Sequence, residues 1–415
     1  VLDQSVESHF PDDLTFHLKA RSDEEDIVGA SLYVEPGWNA AMRLLTAEPS
    51  APAREVELTA VWNTALETIP PFVEITYHWT VELASGATFD LASVQTEYAD
   101  TTHDWQRLEG ENVVVFWYDR PDAFGQAILE AAQDGYDHVA RVTGVTTERG
   151  VRVVIYNTQE DFCAFYARGT CQDWIGGVSL PDLGVTAQWG FDLDWFVYNV
   201  IPHELAHVFY IGEIFKDTWV RVPTWFNEGI AVYNERHDHS RYMALVLDAA
   251  ERDELVPLRY MSARTGSVVD DEVDEWYAQV WSLVAYIAET YGEEMLGELI
   301  LTVADNVPFE EALIQTTGMD MIQFEMEWRA WLGYPVESVP TPIVLPTLPV
   351  TQFALPTAPR GQPVATSSPR PPATTTLAPT APPEESPSGA PCLGLLGLAL
   401  PLGGLIGRGL ARRRR

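Results

Sequence analysis

Two histidines four residues apart with a glutamate beside the first, His203-Glu204-Leu205-Ala206-His207, are the residues of this chain best placed for chemistry. On a helix the i, i+4 spacing puts both imidazoles on one face, one turn apart, where they can share a metal ion. Glu204 lies one step round the same helix, within reach of a water polarised by that ion. Metal-assisted hydrolysis needs this set: protein ligands that leave one coordination position open, and a carboxylate that takes a proton from water and returns it to the leaving group. The plain alternative is a pair of surface histidines on a helix. Against it stand the flanking Trp195-Phe196-Val197-Tyr198 and Val208-Phe209-Tyr210, which predict a buried helix where unpaired His and Glu are costly. Pro202, directly before the motif, requires the helix to begin there or to kink.

A third ligand decides the class. A metzincin would need Gly at position 210, which is Tyr here. Instead Trp225-Phe226-Asn227-Glu228-Gly229 follows, with 20 residues between His207 and Glu228. These two motifs together resemble the gluzincins, zinc metallopeptidases whose third ligand is a Glu on a second helix. The Asn-Glu-Gly form is nearest the aminopeptidase N branch and related bacterial peptidase domains. The resemblance implies Zn2+ on His203, His207 and Glu228, with Glu204 as base and then acid. It also implies a small insertion around Glu213–Pro223, because the spacing in that branch is slightly shorter. Thermolysin differs in having an Asp four after its ligand Glu, where this chain has Val232.

Gly176-Gly177-Val178-Ser179-Leu180 stands about where aminopeptidase N relatives have a Gly-x-Met-Glu-Asn strand edging the cleft. In those relatives the Glu grips the free amino terminus of the substrate. Ser179 and Leu180 replace that acid and amide, which leaves endopeptidase and exopeptidase both open. Gly177 and Ser179 are thus expected at the cleft edge, and Asn227 is expected to orient the ligands through hydrogen bonds. Trp276-Tyr277-Ala278-Gln279 resembles the helix that follows the ligand helix. Tyr277 is the candidate donor to a tetrahedral oxyanion, with a core aromatic as the plain alternative. His237-Asp238-His239 has the composition of a second metal site but reads as an exposed polar turn.

The elements that must position these residues follow from periodicity. Over residues 1–107 apolar residues alternate with polar ones, as in Leu14-Phe16-Leu18-Ala20, Val56-Leu58-Ala60-Trp62 and Val73-Ile75-Tyr77-Trp79-Val81-Leu83. One buried and one wet face predict an all-β sandwich, punctuated by Pro36-Gly37, Pro70-Pro71 and Gly86. From residue 108 to 335 the texture is strand, helix, strand and then helices, an α+β and mostly helical peptidase domain of zincin type. Its strands are expected at Val113–Tyr118 and Val151–Tyr156, with helical spacing over 123–143.

Residues 336–391 hold 15 of the 29 prolines, with many Thr, Ser and Ala, and are expected to form a disordered stalk or linker. The segment 392–415 runs from Cys392 through 15 uncharged residues to Arg408 and four terminal arginines. It is short for a membrane span and resembles the sorting tails of prokaryotic surface proteins. Either reading anchors the chain at the membrane with its body outside, and a leader already removed before Val1 would fit that location.

The 415 residues carry a net charge of −36. Residues 1–335 hold 18 Lys and Arg against 58 Asp and Glu, and the last 80 hold 7 against 3. So acidic a body repels phosphate backbones, which excludes nucleic acid as a partner. The partners expected are a peptide or protein substrate and, through the tail, a membrane; the sequence is silent on oligomeric state. Cys163 and Cys171 are spaced to pair in an oxidising compartment or to stand as separate thiols. The rival to a peptidase is a catalytically silent surface protein that binds peptides or adheres on a peptidase fold. Glu204 argues against it, because pure binding has no use for the base.

Overall fold

The computed structural model describes residues 1–171, 176–190, 192–264, 270–337 and 339; the predicted stalk beyond its first residues, and the arginine-ended tail, lie outside them. Eight strands precede residue 100 among the described residues: β1 (Asp3–His9), β2 (Asp13–Arg21), β3 (Ile27–Pro36), β4 (Arg43–Ala47), β5 (Glu55–Asn63), β6 (Glu74–Leu83), β7 (Thr88–Asp90) and β8 (Val94–Glu97). They form two antiparallel sheets, one ordered β1-β2-β5 and the other β4-β3-β6-β7, with β8 pairing the first half of β6. The alternation read from the sequence is the burial pattern observed. Phe16, Leu18 and Leu58 of one sheet and Leu32, Tyr77 and Trp79 of the other share one core. The Phe16 and Tyr77 rings meet edge-on at 5.1 Å across it.

A third sheet follows, built from β9 (Gln106–Glu109), β10 (Val113–Trp117), β11 (Val151–Tyr156), β12 (Gly177–Leu180) and β13 (Val185–Trp189) in the order β12-β13-β11-β10-β9. Its three central strands run parallel and its two outer strands antiparallel. Helix α1 (Asp122–Thr143) crosses from β10 to β11, begins after Pro121 and stops at Gly144, whose φ of 71° suits a residue without Cβ. Every residue of β11 is buried, as a strand covered on both faces must be. Val113, Val115, Val153 and Ile155 face the helices, while Phe116, Val154, Tyr156 and Ala187 face the N-terminal core. Phe72 stacks on Phe116 at 4.0 Å. Arg152, only 7 % exposed at its side chain, pairs with Glu74 at 2.5 Å and with Glu97, tying this sheet to β6 and β8. β9 straddles the boundary expected near residue 107.

After β11 come α2 (Gln159–Cys163) and a loop closed by a Cys163–Cys171 disulfide that leads toward β12. The remainder is helical: α3 (Leu193–Trp195), α4 (Ile201–Phe209), α5 (Thr224–Tyr233), α6 (Ser240–Glu251), α7 (Leu258–Arg264), α8 (Asp270–Tyr291), α9 (Glu293–Ala304), α10 (Phe309–Thr317) and α11 (Met321–Trp331). No helix among the described residues is long and apolar enough to cross a membrane. α4 lies at the centre of this half, against α1, α5 and the third sheet, and all nine of its residues are buried. A helix buried all round can only be a core helix, so the polar side chains it carries must find partners inside.

Candidate metal centre and active site

α4 carries His203, Glu204 and His207, and Pro202 explains its setting. α4 begins at Ile201 with Pro202 in its first turn, and a wide turn over Phe196–Val200 leads into it. Proline has no N–H for the carbonyl four residues back, that of Tyr198. That carbonyl instead accepts the Arg236 backbone N–H at 2.8 Å. The Pro202 carbonyl accepts the Asn234 side-chain amide at 2.7 Å. The chain leaving α5 is thereby fastened along α4, with Glu235 between the two attachments and facing His203.

His203, His207 and Glu228 come together with their donor atoms in a small triangle. His203 Nε2 and His207 Nε2 are 3.2 Å apart, and they lie 3.6 and 3.4 Å from Glu228 Oε2. A tetrahedral site with bonds of 2.0–2.1 Å has edges of roughly 3.3 Å, so the donors stand where such a cation requires them. Glu228 is 0 % exposed and neither of its carboxylate oxygens makes a hydrogen bond. A buried carboxylate without a donor is costly unless a cation neutralises it, and the triangle therefore fits a metal on its own chemistry. Burial works to raise the Glu228 carboxyl, yet the imidazoles of His207 and His203 hold it down at about 2. Burial works against charge on His203 too, but the Glu228 and Glu235 carboxylates push it up to about 10. The surroundings thus favour a carboxylate with positive charge beside it, a condition that a divalent cation meets.

The ring nitrogens turned away from the triangle are held as well. His203 Nδ1 donates to Glu235 Oε1 at 2.9 Å. His207 Nδ1 faces the Asn227 side-chain amide at 3.5 Å, and Asn227 Oδ1, which has no other partner, becomes its acceptor when the amide is turned over. Ser179 of β12 lies 2.6 Å from Glu204 Oε2 and 2.8 Å from the Glu204 carbonyl. A hydroxyl has one hydrogen, so it serves one acceptor at a time, and the carboxylate is the nearer. Gly177 opens β12 opposite Gln188, whose Cγ a Cβ at this position would approach to 2.9 Å.

A cleft of about 160 Å³ opens onto His203 and Glu204, walled also by Glu235, Tyr242 and Tyr277. The Tyr277 ring lies edge-on to His203, 6.2 Å between centroids. Burial, reinforced by the Glu228, Glu204 and Glu235 carboxylates, pushes the Tyr277 hydroxyl well above its ordinary range, so it remains a proton donor. A wider hollow of about 460 Å³ continues outward, sharing Trp195, Asn199, His237 and Asp238 with the cleft.

Among known proteins, one family model bears on this site. Residues 131–334 match the family model described as Peptidase MA superfamily. The matched segment contains the whole triangle, and the family that the model describes is generally metal-dependent. No curated protein matches the chain. Among solved structures, Legionella pneumophila aminopeptidase A in complex with aspartic acid is similar at 13% identity and a TM-score of 0.32, over 81% of this chain and 49% of that one. A purple acid phosphatase from yellow lupin (Lupinus luteus) seeds shows 16% identity and a TM-score of 0.19, over 37% of this chain and 28% of that one. A Bacillus cereus polysaccharide deacetylase shows 10% identity and a TM-score of 0.19, over 41% and 55%. The chain thus spans about half or less of the first two and 55% of the third.

One residue of the site was not singled out from sequence. Glu235 lies seven residues after Glu228, beyond the end of α5, where no local signal marks it. Val232, four after Glu228, belongs to the core and takes no part. In the His237–His239 turn Asp238 is exposed as expected, but the two histidines are half-buried, the His239 ring lying flat on Trp281 at 4.9 Å.

Proposed function

We propose that this chain is a zinc-dependent peptidase of gluzincin type, nearest the aminopeptidase N-like branch, that hydrolyses peptide bonds in extracellular peptides or proteins. The observation that carries the reading is the triangle of His203, His207 and the hydrogen-bond-orphaned Glu228, whose His203 adjoins Glu204 in sequence and lines the same cleft. A donor set of two imidazoles and a carboxylate suits zinc over calcium or magnesium, which prefer all-oxygen shells. Bound there, zinc would supply Lewis acidity toward the scissile carbonyl and toward the attacking water.

The chain's own residues do the rest. Glu204 takes the proton from the attacking water and passes it to the departing amine. Ser179 donates to the Glu204 carboxylate and fixes its direction before substrate arrives. The Tyr277 hydroxyl, kept protonated, donates to the developing oxyanion. Glu235 and Asn227 hold the imidazoles in register. The β12 strand offers the hydroxyl of Ser179 where aminopeptidase N relatives offer a Glu, so a free amino terminus need not be gripped there.

The surface location is part of the proposal and rests on sequence: the acidic body, the Pro/Thr stalk and the short apolar tail with its arginines. The functional reading is tested with a quenched peptide library. Hydrolysis should vanish on chelation and return on adding zinc, and acetylated peptides should be cut as well as free-amine ones. Undiminished hydrolysis by the chelated protein would overturn the reading. Cleavage of free-amine peptides alone would restore the aminopeptidase assignment.

A further inference from the structure

Beside the triangle lies a second group of ligand-type side chains, Glu235, His237 and His239, whose donor atoms lie within 4.8 Å of one another. The last two have no part in the chemistry above. Each imidazole has one nitrogen committed to a backbone carbonyl: His237 Nδ1 faces that of Asp238 at 3.1 Å, and His239 Nε2 that of Val232 at 3.2 Å. A carbonyl only accepts, so those nitrogens carry the protons. In the neutral rings His237 Nε2 and His239 Nδ1 then present lone pairs, the form in which imidazole ligates. His237 Nε2 stands 2.7 Å from Glu235 Oε2, and two acceptors this close need a cation between them, either a proton or a metal.

The group is built rather than accidental. The His239 ring lies parallel to Trp281 within 3°, and the tilted His237 ring is 4.2 Å from it. The side chains of Glu235 and His237 are only 7% and 19% exposed. Asn199 Nδ2 approaches Glu235 Oε2 at 3.4 Å. Asp238 contributes no ligand, because its two oxygens cap Ser240 at 2.9 Å each.

We propose that Glu235, His237 and His239 form a second metal site in the cleft wall, for a divalent ion that favours imidazole, such as Zn2+, Co2+ or Ni2+. It adjoins the cleft of the proposed function but does not require that function to be correct. His237 Nε2 and Glu235 Oε2, 2.7 Å apart, stand closer than the roughly 3.3 Å edge of a tetrahedral site, so an ion entering there must part them by about 0.6 Å. The triangle needs no such movement, and the second ion therefore binds the more weakly. Glu235 couples the sites: Oε1 accepts from His203 while Oε2 would ligate the second ion. Charge drawn toward Oε2 leaves His203 a poorer ligand, so filling the second site weakens the first.

The test is equilibrium dialysis of the full chain against zinc ions, with bound metal counted by mass spectrometry. Two ions per chain are expected, falling to one in His237→Ala/His239→Ala and to one in His203→Ala/His207→Ala. An unchanged count in the His237/His239 variant overturns the second site, whatever becomes of the triangle. A single ion lost from the His237/His239 variant and kept by the His203/His207 variant supports the second site and overturns the proposed function. No bound ion overturns both. If the double variants fail to fold, His237→Gln and His239→Gln should each weaken only the looser class of binding, and equal affinity to the unchanged chain refutes the proposal.

Discussion

A methyl group placed on Gly229, the residue after the third ligand, would sit 2.8 Å from the Val280 carbonyl oxygen and 2.7 Å from Val284 Cγ2. Both belong to α8, the helix that carries Tyr277, so α5 and α8 meet here with no room for a side chain. Ordinary contact begins near 3.4 Å, and Gly229→Ala would force the two helices apart by about 0.6 Å. Backbone cannot swing aside and Val is stiff at χ1, which puts the overpacking cost near the top of the usual range, about 3 kcal/mol. Alanine's better helix propensity offsets about 1 kcal/mol of that. The net loss of about 2 kcal/mol corresponds to a melting point lower by about 4–8 °C for a unit of this size. The same displacement moves Glu228 against His203 and His207, so zinc affinity should fall by about 10–100-fold, as when support around a metal ligand is disturbed. Calorimetry of the metal-free chain reads the first effect and competition with a chromophoric chelator the second. A variant with unchanged melting point and zinc affinity would refute the close α5–α8 contact and the reason given for a glycine after the ligand.

Arg152→Met should destabilise by about 1–3 kcal/mol in denaturant titration, less than the 3–5 of a fully buried pair, because Glu74 and Glu97 can still reach water. In the chelated protein, His203 titrates above its unfolded value of 6.5, so its stabilisation is complete below pH 6.5 and is lost as pH rises through about 10. Glu228 titrates below 4.5, so its contribution is present above pH 4.5 and is lost as pH falls toward about 2. Melting points across pH should show both limbs, and zinc should flatten the alkaline one, since it binds the neutral ring. Replacing Cys163 and Cys171 with Ser should cost about 2.5 kcal/mol for the eight-residue separation, seen as a melting point lower by about 5–10 °C.

The ligand helix was legible because one period, four residues, places His203 above His207, and because its apolar flanks announce burial. Alternation made β2, β5 and β6 equally plain. β9, β12 and β13 are four or five residues long and owe their conformation to pairing with the buried strands beside them, which local sequence does not encode. Glu235 was missed for a related reason. It lies past the end of α5, and what aims it at His203 is the proline-freed carbonyl of Tyr198 taking the Arg236 N–H, a contact 38 residues apart in sequence. Ser179 was placed at the cleft edge by resemblance, but its hydrogen bond to Glu204 depends on how β12 lies against α4. The half-burial of His237 and His239 was not legible, because the stack of His239 on Trp281 comes from a distant helix.

Glu204→Gln tests the central claim most directly, with hydrolysis of the quenched peptide library and metal content measured on one sample. Gln keeps the shape and can still meet Ser179, but it cannot take a proton. The account predicts unchanged zinc on His203, His207 and Glu228 and a rate lower by about 10²–10⁴-fold. Hydrolysis at the original rate, with zinc still bound, would contradict it.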